Sequence, residues 1–587
     1  MKLLKLEIGN IPKEKQFRSL HAGFKIEFHT FDNKGLKAMQ SFSPFCFAGL
    51  NGSGKSNVLE ALSAIFFHVE CCVAKFKPQS FATHFRPHEC PVDAFTLEYL
   101  IWRKGEKDYS PSNFYKVIIN KKVGLPPQLF RQSFPFSETD KLIEESINPP
   151  KQKRTEEPEP APAKLYLPEI VVGYSSGENE ILSIPFRKSR LINFDKYKQD
   201  SIDGRPFEEP ENSLIYIDAE MSQAVLLSCL LFEDEKTLRP LKHELGIVGL
   251  QSFRININNH ELHKLENTNK TVKIINHCKT VIERLKQCAT CWNELDINVN
   301  HQDGTNSSQL TLDFFVDENT KKAFKKHFTT SFELFRFIQM LYELNLWSVG
   351  EDEKDDIYYS KGIYTDWKIP ESKPKSEIFT FLNYFILKEI EGETEPKPLL
   401  LREFSDGEHQ FLHTMGICLM LKYRKSILLL DEPETHFNPS WRAKFIKILD
   451  DSITSGSNGK SENDSYNVHY LKDILLTSHS PFIISDCMPN NVVFFNRDEQ
   501  TRKVQARKAA ELGFNTYGTS VEIILDELFD YNQSIGDLSN DILKNIEFDK
   551  IKTPEDVKNT KKLFSHLGES IEKDLVLARL NQLKFNT

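Results

Sequence analysis

The residues with the clearest chemical potential lie in the stretch FAGLNGSGKSNVLEAL, residues 47–62. Gly49 is followed after four residues by Gly54, Lys55 and Ser56, which is the spacing of a phosphate-binding loop. The residues before the loop, SPFCFAG, predict a buried strand, and those after it, SNVLEALSAIFF, predict a helix with one apolar face. A chance glycine-rich turn would need neither neighbour, so we interpret the loop as a binding site for a nucleoside triphosphate.

Each residue type in this loop has a chemical purpose. Glycines allow backbone N–H groups to turn toward an anion, and the start of the following helix adds a favourable dipole. Lys55 is expected to contact the β- and γ-phosphates, and the Ser56 hydroxyl is expected to ligate Mg²⁺. We predict nucleotide contacts from Asn51, Gly52, Ser53, Gly54, Lys55, Ser56 and Asn57.

A second group of chemically active residues follows in SILLLDEPETHFNP, residues 426–439. The apolar run predicts a buried strand, and Asp431 and Glu432 stand at its carboxyl end, where a parallel sheet presents ligands. Asp431 is expected to hold Mg²⁺, and Glu432 to orient and deprotonate the attacking water. Two carboxylates at a strand end could simply cap a loop, but their pairing with the phosphate-binding loop favours the catalytic interpretation.

Two more motifs flank this acidic strand. In REFSDGEHQFLHTMGICLML, Ser405 suits a helix N-cap and Glu408 completes a capping box, so the segment could be no more than a capped helix. In DILLTSHSPFIISD, an apolar strand ends close to His479, which could reach a γ-phosphate from the tip of a parallel strand. Neither motif establishes a function by itself.

Composition limits the classes of protein to consider. The 587 residues are too many for one hydrophobic core, which predicts two or more structural units. The chain has no apolar run of about eighteen residues, and its start, MKLLKLEIGN, lacks an apolar signal core, so we expect a cytoplasmic protein without membrane contact. Ten irregularly spaced cysteines favour reduced thiols, and the net charge of -9 restricts nucleic-acid contacts to local basic patches.

Residue patterning divides the chain into four segments. Residues 1–189 and 399–500 alternate strands and helices, and we predict that they form the two halves of one α/β unit. Between them, residues 190–398 are predicted to be mainly helical, with one strand at LTLDFFVD. Residues 148–164, rich in proline and charge, predict an exposed loop. Residues 501–587 predict a helical tail, which is a candidate partner-binding region.

The order GLNGSGKS, FSDGEHQ, LLLDEPETHFNP and TSHSP resembles the ABC-type ATPase head of the SMC and RecF class. The resemblance covers residues 1–100, 165–185 and 399–500, which is under half of the chain. It implies an α/β head whose mixed sheet is flanked by helices, here with a mainly helical insertion and a helical tail. It also implies hydrolysis of ATP to ADP and phosphate with Mg²⁺ as cofactor.

The same resemblance implies roles for the flanking motifs. Ser405, Gly407 and Glu408 correspond to the signature motif, His479 to the switch histidine, and the segment around Asn438 to the D-loop. In this class, the signature of one subunit contacts the γ-phosphate held by another. The resemblance therefore implies a homodimer, or a higher oligomer, in which two heads enclose two nucleotides.

The chain also departs from this pattern. SDGEHQ replaces the LSGGQ of transporter ATPases, no glutamine can be assigned to a Q-loop, and the insertion stands where SMC proteins have long coiled coils. With YSSGENE and GFNTYGTSVEIILDELF, the chain is similar to the ATPases of Septu and retron-associated Septu anti-phage systems. That resemblance implies a role as sensor or regulator of a separate HNH nuclease, and leaves open a contact with DNA or with retron RNA/DNA.

Two other functions stay open at this stage. A RecF-like DNA-repair ATPase would bind DNA directly. A self-contained nuclease would need a Toprim domain with an early glutamate and a later Asp-x-Asp after His479, and neither stands on a clear strand there. The regulatory ATPase is therefore the favoured hypothesis.

Two smaller features could indicate binding but have simpler explanations. Cys288 and Cys291 form CATC, but a structural zinc site needs four ligands, and His277 and Cys278 lie about three turns away on the same predicted helix. We therefore favour buried cysteines. The basic clusters RKSR and KKAFKK are interpreted as solvated helix faces, with phosphate contacts as the alternative.

Overall fold

The structure is a computed structural model of the chain. It describes residues 1–103, 111–136, 141–150, 159–177, 179–203, 210–258, 282–297, 307–359, 377–421, 424–454, 469, 471–531 and 533–583. The described strands form three sheets, and helices cover them. The predicted class, α/β with a mixed sheet flanked by helices, is confirmed, as is the helical C-terminal tail.

The central sheet has seven strands in the order β18-β17-β3-β16-β15-β8-β9. Its strands are β3 (Phe45–Ala48), β8 (Ile170–Ser175), β9 (Leu214–Tyr216), β15 (Ser426–Asp431), β16 (Lys472–Thr477), β17 (Val492–Arg497) and β18 (Val504–Lys508). Neighbouring strands are parallel except for β17 and β18, so the carboxyl ends of six strands meet at one edge.

The side chains of β15 show that the central sheet is covered on both faces. Ile427 and Leu429 belong to one hydrophobic core, whereas Leu428 and Leu430 belong to another, because successive side chains of a strand point to opposite faces. The helix Lys55–Val73 packs in the first core, and the helices Asp406–Met420 and Pro439–Thr454 pack in the second. A strand covered on both faces is expected to be mainly apolar, as β15 is from Ile427 to Leu430.

A six-stranded antiparallel sheet packs in the same core as the helix Lys55–Val73. Its strands are β1 (Lys2–Ile8), β2 (Lys25–Glu27), β4 (Phe95–Trp102), β5 (Phe114–Lys121), β6 (Gln128–Ser133) and β7 (Ile143–Glu145). This helix has the length and mean hydropathy of a membrane span, yet 83% of its apolar window is buried inside the protein. Among the described residues it is the one such helix, and it is a core helix.

The segment 190–398 carries a five-stranded antiparallel sheet beside its helices, and the last strand of this sheet continues to Leu400. The strands are β10 (Ile247–Asn258), β11 (Cys291–Ile297), β12 (Ser307–Phe315), β13 (Phe379–Lys388) and β14 (Lys397–Leu400). The sequence predicted only β12, because β13 is apolar on both faces and such runs suit a helix as well as a strand. The insertion shares its hydrophobic core with the helix Asp406–Met420, so it is not packed separately.

The helices complete these layers. Those before residue 400 are Asn33–Met39, Lys55–Val73, Gln79–His84, Glu180–Asp203, Ala219–Phe232, Arg239–Leu245, Glu318–His327, Ser331–Glu343 and Glu351–Tyr359. The later ones are Asp406–Met420, Pro439–Thr454, Pro481–Ser485, Val521–Phe529, Asp537–Lys544, Pro554–Leu563 and Ile571–Asn581. The last three helices have their own small apolar core around Leu543, Phe564 and Leu580.

Two smaller predictions need correction. In the stretch predicted as an exposed loop, residues 151–158 lie outside the described residues, but Ala161 is buried and its N–H donates to Val73 O at 2.9 Å. Cys288 is buried as predicted, whereas Cys291 is exposed at the start of β11. His277 and Cys278 lie outside the described residues.

The basic cluster RKSR is not a solvated face. Lys188 is buried, and Arg190 Nη1 donates to Asp218 Oδ2 at 2.6 Å. These side chains are covered because their helix, Glu180–Asp203, packs between the central sheet and the insertion. All described cysteines are free thiols, as their irregular spacing predicted.

Candidate functional site

The phosphate-binding loop joins β3 to the helix Lys55–Val73, as predicted. Gly49 has φ +138°, and a Cβ there would lie 2.3 Å from the carbonyl oxygen of Phe495. Gly54 has φ +103°, and a Cβ there would lie 2.6 Å from Ser19 Oγ. Glycine is required at both positions, because side chains fit neither the backbone conformation nor the space.

Lys55 is held over the loop by the loop's own carbonyl groups. Its ammonium donates to Gly49 O at 2.9 Å and to Leu50 O at 3.2 Å. Burial lowers the pKa of Lys55 from its usual value, while the carboxylates of Glu432 and Asp431 oppose this shift. A buried cation without a carboxylate in direct contact is suited to bind an anionic ligand.

The two sides of the predicted metal site are in contact. Ser56 Oγ donates to Asp431 Oδ1 at 2.8 Å, although 375 positions separate the two residues. Asp431 also accepts from Thr477 Oγ1 at 2.7 Å and, through Oδ2, from Asn179 Nδ2 at 2.7 Å. A hydroxyl and a carboxylate are the oxygen ligands that Mg²⁺ prefers, so the donor set fits the predicted ion.

Glu432 lies one residue beyond this carboxylate in an uncommon backbone conformation. Its φ is +48°, in the left-handed region that non-glycine residues seldom adopt, and its N–H donates to Thr477 Oγ1 at 2.9 Å. His479 Nε2 lies 3.4 Å from Glu432 Oε1, and this contact lowers the pKa of Glu432 below its usual value. A lowered pKa favours the ionised form of Glu432, which its predicted role as general base requires.

These residues surround a cavity of about 1410 Å³. The predicted residues that line it are Asn51, Gly52, Gly54, Lys55, Ser56, Asn57, Glu432 and His479. Of the residues predicted in the loop and at the acidic strand end, Ser53 and Asp431 are buried and do not line it, and Ser53 Oγ is buried without a hydrogen-bond partner. Asn57 is engaged by the protein: with its amide oxygen toward Ser19, it accepts from Ser19 Oγ at 2.5 Å and donates to Glu60 Oε2 at 3.2 Å.

The strand order gives the cavity two different ends. β16 lies on one side of β3. His479 follows β16, Glu432 follows the adjacent β15, and both line the cavity at this end. β17 lies on the other side of β3, and the turn from β17 to β18 brings cations to the cavity. The cationic residues lining the cavity, in addition to Lys55, are Lys13, Arg18, Arg497, Arg502 and Lys503.

Sequence reasoning missed four residues of this site. Three of them are Thr477, Ser478 and Glu434. Thr477 is the last residue of β16 and donates to Asp431, and Ser478 follows it and donates to Glu434. The next residue, the predicted His479, contacts Glu432. Glu434 is buried, Oε2 has no partner, and burial raises its pKa to about 7.

The fourth missed residue is Asn179 of YSSGENE, in the stretch where no Q-loop glutamine could be assigned. It follows β8, which is the parallel neighbour of β15, and its amide reaches Asp431. The position of Asn179 in the sequence could have indicated this contact, because polar side chains that follow neighbouring parallel strands meet at one edge of the sheet.

The predicted signature motif does not line the cavity of its own chain. Ser405 caps the helix Asp406–Met420, Glu408 Oε2 accepts from the Ser405 N–H at 2.8 Å, and Lys388 forms an ion pair with Glu408. A Cβ on Gly407 would lie 3.0 Å from His436 O, so the motif packs closely on the segment after Glu434. Within one chain the motif is a capped helix.

Comparisons with known proteins agree with part of this description. Residues 368–485 match the sequence family described as "AAA domain, putative AbiEii toxin, Type IV TA system", so this part of the chain has the pattern of an AAA-type ATPase domain. The match covers well under half of the chain. No curated protein matches the chain.

Solved structures with similarity to this chain include two Smc heads. One is a head bound to the C-winged helix domain of ScpA, with 9% identity, 87% of this chain and 100% of that chain covered, and a TM-score of 0.30. The other, derived from Pyrococcus furiosus, is a head with an extended coiled coil bound to the C-terminal domain of ScpA. It has 10% identity and a TM-score of 0.30, and the match covers 87% of this chain and 98% of that chain. Similarity at this level transfers no property of those heads to this chain.

Proposed function

We propose that this chain is an ATPase that binds ATP and Mg²⁺ in the cavity at the edge of its central sheet. The observation that supports this best is the contact of Ser56 with Asp431 at 2.8 Å beside the pair Glu432 and His479. A phosphate-binding loop alone binds nucleotide. The acidic strand end adds what hydrolysis needs: a metal ligand and a general base.

The reaction assigns one task to each side chain. Lys55 binds the β- and γ-phosphates, and Ser56 and Asp431 would hold the metal ion. Charge on the phosphate oxygens is neutralised by Mg²⁺ when that ion is bound. Glu432 takes a proton from the attacking water while the water oxygen bonds to the γ-phosphorus and the bond to the ADP oxygen breaks. His479 holds the Glu432 carboxylate in place.

The test of this proposal is phosphate release from ATP with and without Mg²⁺. We expect Lys55→Ala to lose nucleotide binding, and Glu432→Gln to keep binding while hydrolysis falls by about 10²–10⁴-fold. Leu512→Ala is the control, because Leu512 is exposed and outside the cavity. Wild-type ATP affinity in Lys55→Ala would reject the loop assignment, and a fully active Glu432→Gln enzyme would place the base elsewhere.

We further propose that two chains act together, with Ser405, Gly407 and Glu408 of one chain closing over the nucleotide of the other. The absence of these residues from the lining of their own cavity supports this arrangement. Ser405→Arg should then bind ATP but not hydrolyse it. Mixed with Lys55→Ala, it should recover part of the activity, because one composite site of the mixed dimer has no lesion. Full activity of Ser405→Arg alone would show that the motif is only a capped helix with no part in hydrolysis.

The proposed biological role is regulation of a partner HNH nuclease in anti-phage defence. The support is the resemblance of the motifs to those of Septu and retron-associated Septu ATPases. We expect a neighbouring nuclease gene, copurification of its product with this chain, and loss of phage protection in Lys55→Ala. Binding of purified chain to duplex DNA in an ATP-dependent gel shift, without a nuclease partner, would favour the RecF-like alternative.

The matched family description favours a second candidate, a toxin of a toxin–antitoxin system. A toxin would arrest growth when the chain is expressed alone, whereas a regulator of a nuclease would need its partner. Expression of the chain with and without the nuclease therefore separates the two candidates.

A further inference from the structure

The helix Val521–Phe529 ends against the proposed catalytic site. The ring of its last residue, Phe529, lies 6.1 Å from the His479 ring between centroids, with an interplanar angle of 41°. The same His479 ring is 3.4 Å from the Glu432 carboxylate. Phe529 thus contacts His479, which contacts the proposed general base. It is the last residue of the stretch GFNTYGTSVEIILDELF, and the proposed reaction assigns it no part.

Several contacts fix this helix relative to the His479 loop. Ile524 and Leu528 are buried in the hydrophobic core, which holds one face of the helix. The chain before the helix is tied to the segment after His479, because Gly518 N–H donates to Ser485 O at 2.8 Å and Thr516 Oγ1 donates to Cys487 O at 2.7 Å. The contact of Phe529 is therefore not that of a loose surface ring.

The helix also ends at a defined place. Asp530 has φ +53°, and the N–H of Tyr531 donates to Leu525 O at 3.0 Å, which stops the helix directly after Phe529. Asp is one of the few non-glycine residues that adopt a left-handed conformation readily, so Asp530 suits the end of this helix. Beyond this point the last three helices pack around a separate core.

We propose that Phe529 is a positioning residue, which holds the His479 ring toward Glu432 and so connects the C-terminal helices to the ATP site. The inference rests on the proposed function, since it assigns the ring a part in hydrolysis. Removal of the Phe529 ring lets the imidazole turn away from the carboxylate. ATP binding is unaffected, because the loop around Lys55 lies on a different strand connection.

The first test compares kcat and ATP affinity in Phe529→Ala, Phe529→Leu and Phe529→Tyr. An aromatic contact contributes about 0.5–1.5 kcal/mol, so kcat in Phe529→Ala should fall about 2- to 10-fold. Affinity for ATP should stay unchanged, Phe529→Leu should resemble Phe529→Ala, and Phe529→Tyr should restore the rate. Ile523→Ala is the matched control, because Ile523 is on the same helix and 51% exposed. An equal loss in Ile523→Ala, or no rescue by tyrosine, overturns the proposal.

The second test does not depend on hydrolysis. Carbethoxylation of His479 by diethyl pyrocarbonate, followed by mass spectrometry, should be about 2- to 10-fold faster in Phe529→Ala, by the same contact energy. Unchanged reactivity of His479 overturns the positioning role even if the rate falls. If wild-type chain hydrolyses no ATP, the proposed function fails, whereas the reactivity of His479 still decides whether Phe529 positions its ring.

A double substitution completes the design. In a His479→Ala background, Phe529→Ala should cause no further loss of the residual rate, because its effect passes through the imidazole. A further loss of the same size as in the wild-type background would show that Phe529 acts by another route, and would overturn the proposal.

Discussion

The Thr477 hydroxyl connects the carboxylate of Asp431, the proposed metal ligand, to the backbone of Glu432, the proposed general base. Thr477→Val should break this connection. Thr477 is fully buried at the end of β16, donates to Asp431 Oδ1 at 2.7 Å and accepts from the N–H of Glu432 at 2.9 Å. Valine has nearly the same shape, so the substitution removes the hydroxyl and leaves the packing intact. Glu432 then loses the acceptor that helps hold its backbone at φ +48°.

The expected size of the effect follows from these two hydrogen bonds. A hydrogen bond to a charged group contributes about 1.5–3 kcal/mol, and an unsatisfied buried N–H costs about 1–3 kcal/mol. Because such terms are not additive, we expect the free energy of unfolding to fall by about 2–4 kcal/mol. Asp431 keeps Ser56 and Asn179, so ATP and metal binding should survive. A displaced Glu432 should lower kcat by about 10- to 100-fold, equivalent to about 1.4–2.7 kcal/mol of barrier.

The assay combines steady-state phosphate release, nucleotide affinity and urea unfolding for Thr477→Val and Thr477→Ser. Serine keeps the hydroxyl and loses only a methyl group, so it should retain most of the rate. Thr477→Val with a wild-type rate and unchanged stability would refute the reasoning. Equal impairment of the serine variant would also refute it, since the hydroxyl would then not be the cause.

Three further outcomes are expected. Burial raises the pKa of Glu434 from 4.5 to about 7, so the stability that its neutral form contributes is fully present below about pH 4.5 and is lost as pH rises through 7. The free energy of unfolding should therefore fall by about 3 kcal/mol over this range. Glu434→Gln should remove this pH dependence, measured by urea unfolding at pH 5 and pH 8. Because Glu432 has φ +48°, Glu432→Gly should be more stable than Glu432→Ala by about 1 kcal/mol in the same assay, the reverse of the usual order. Asn179→Leu removes a hydrogen bond to Asp431, so the Mg²⁺ concentration for half-maximal hydrolysis should rise about 10- to 100-fold, and an unchanged Mg²⁺ titration would contradict this role.

The sequence was most informative where one local pattern determines one local structure. The phosphate-binding loop was predictable because glycine spacing, a preceding apolar strand and a following helix occur together in residues 47–62. The contact of Ser56 with Asp431 was predictable because the carboxyl ends of parallel strands meet. The nucleotide and metal roles of these residues stay predictions until they are measured.

The sequence was least informative where partners are distant and the local pattern is ambiguous. The contacts of Thr477, Ser478 and Glu434 depend on which strands are neighbours, and a list of motifs does not give strand order. The sheet of the insertion was missed although Phe253, Ile255 and Ile257 alternate with polar residues in β10. Its partner strands lie far along the chain, so no local turn marked them.

The order of strands in the central sheet has a consequence for the synthesis of the chain. β3, which carries the phosphate-binding loop, pairs only with β16 and β17 among the described strands, and both are made more than 400 residues later. Until residue 477 has left the ribosome, this fully apolar strand has neither neighbour, and until residue 497 has left it the strand lacks β17. Such long-range pairing is slow and leaves apolar surface open to aggregation. The proposed nucleotide site is therefore a late product of folding, and chains terminated before β16 should lack it entirely.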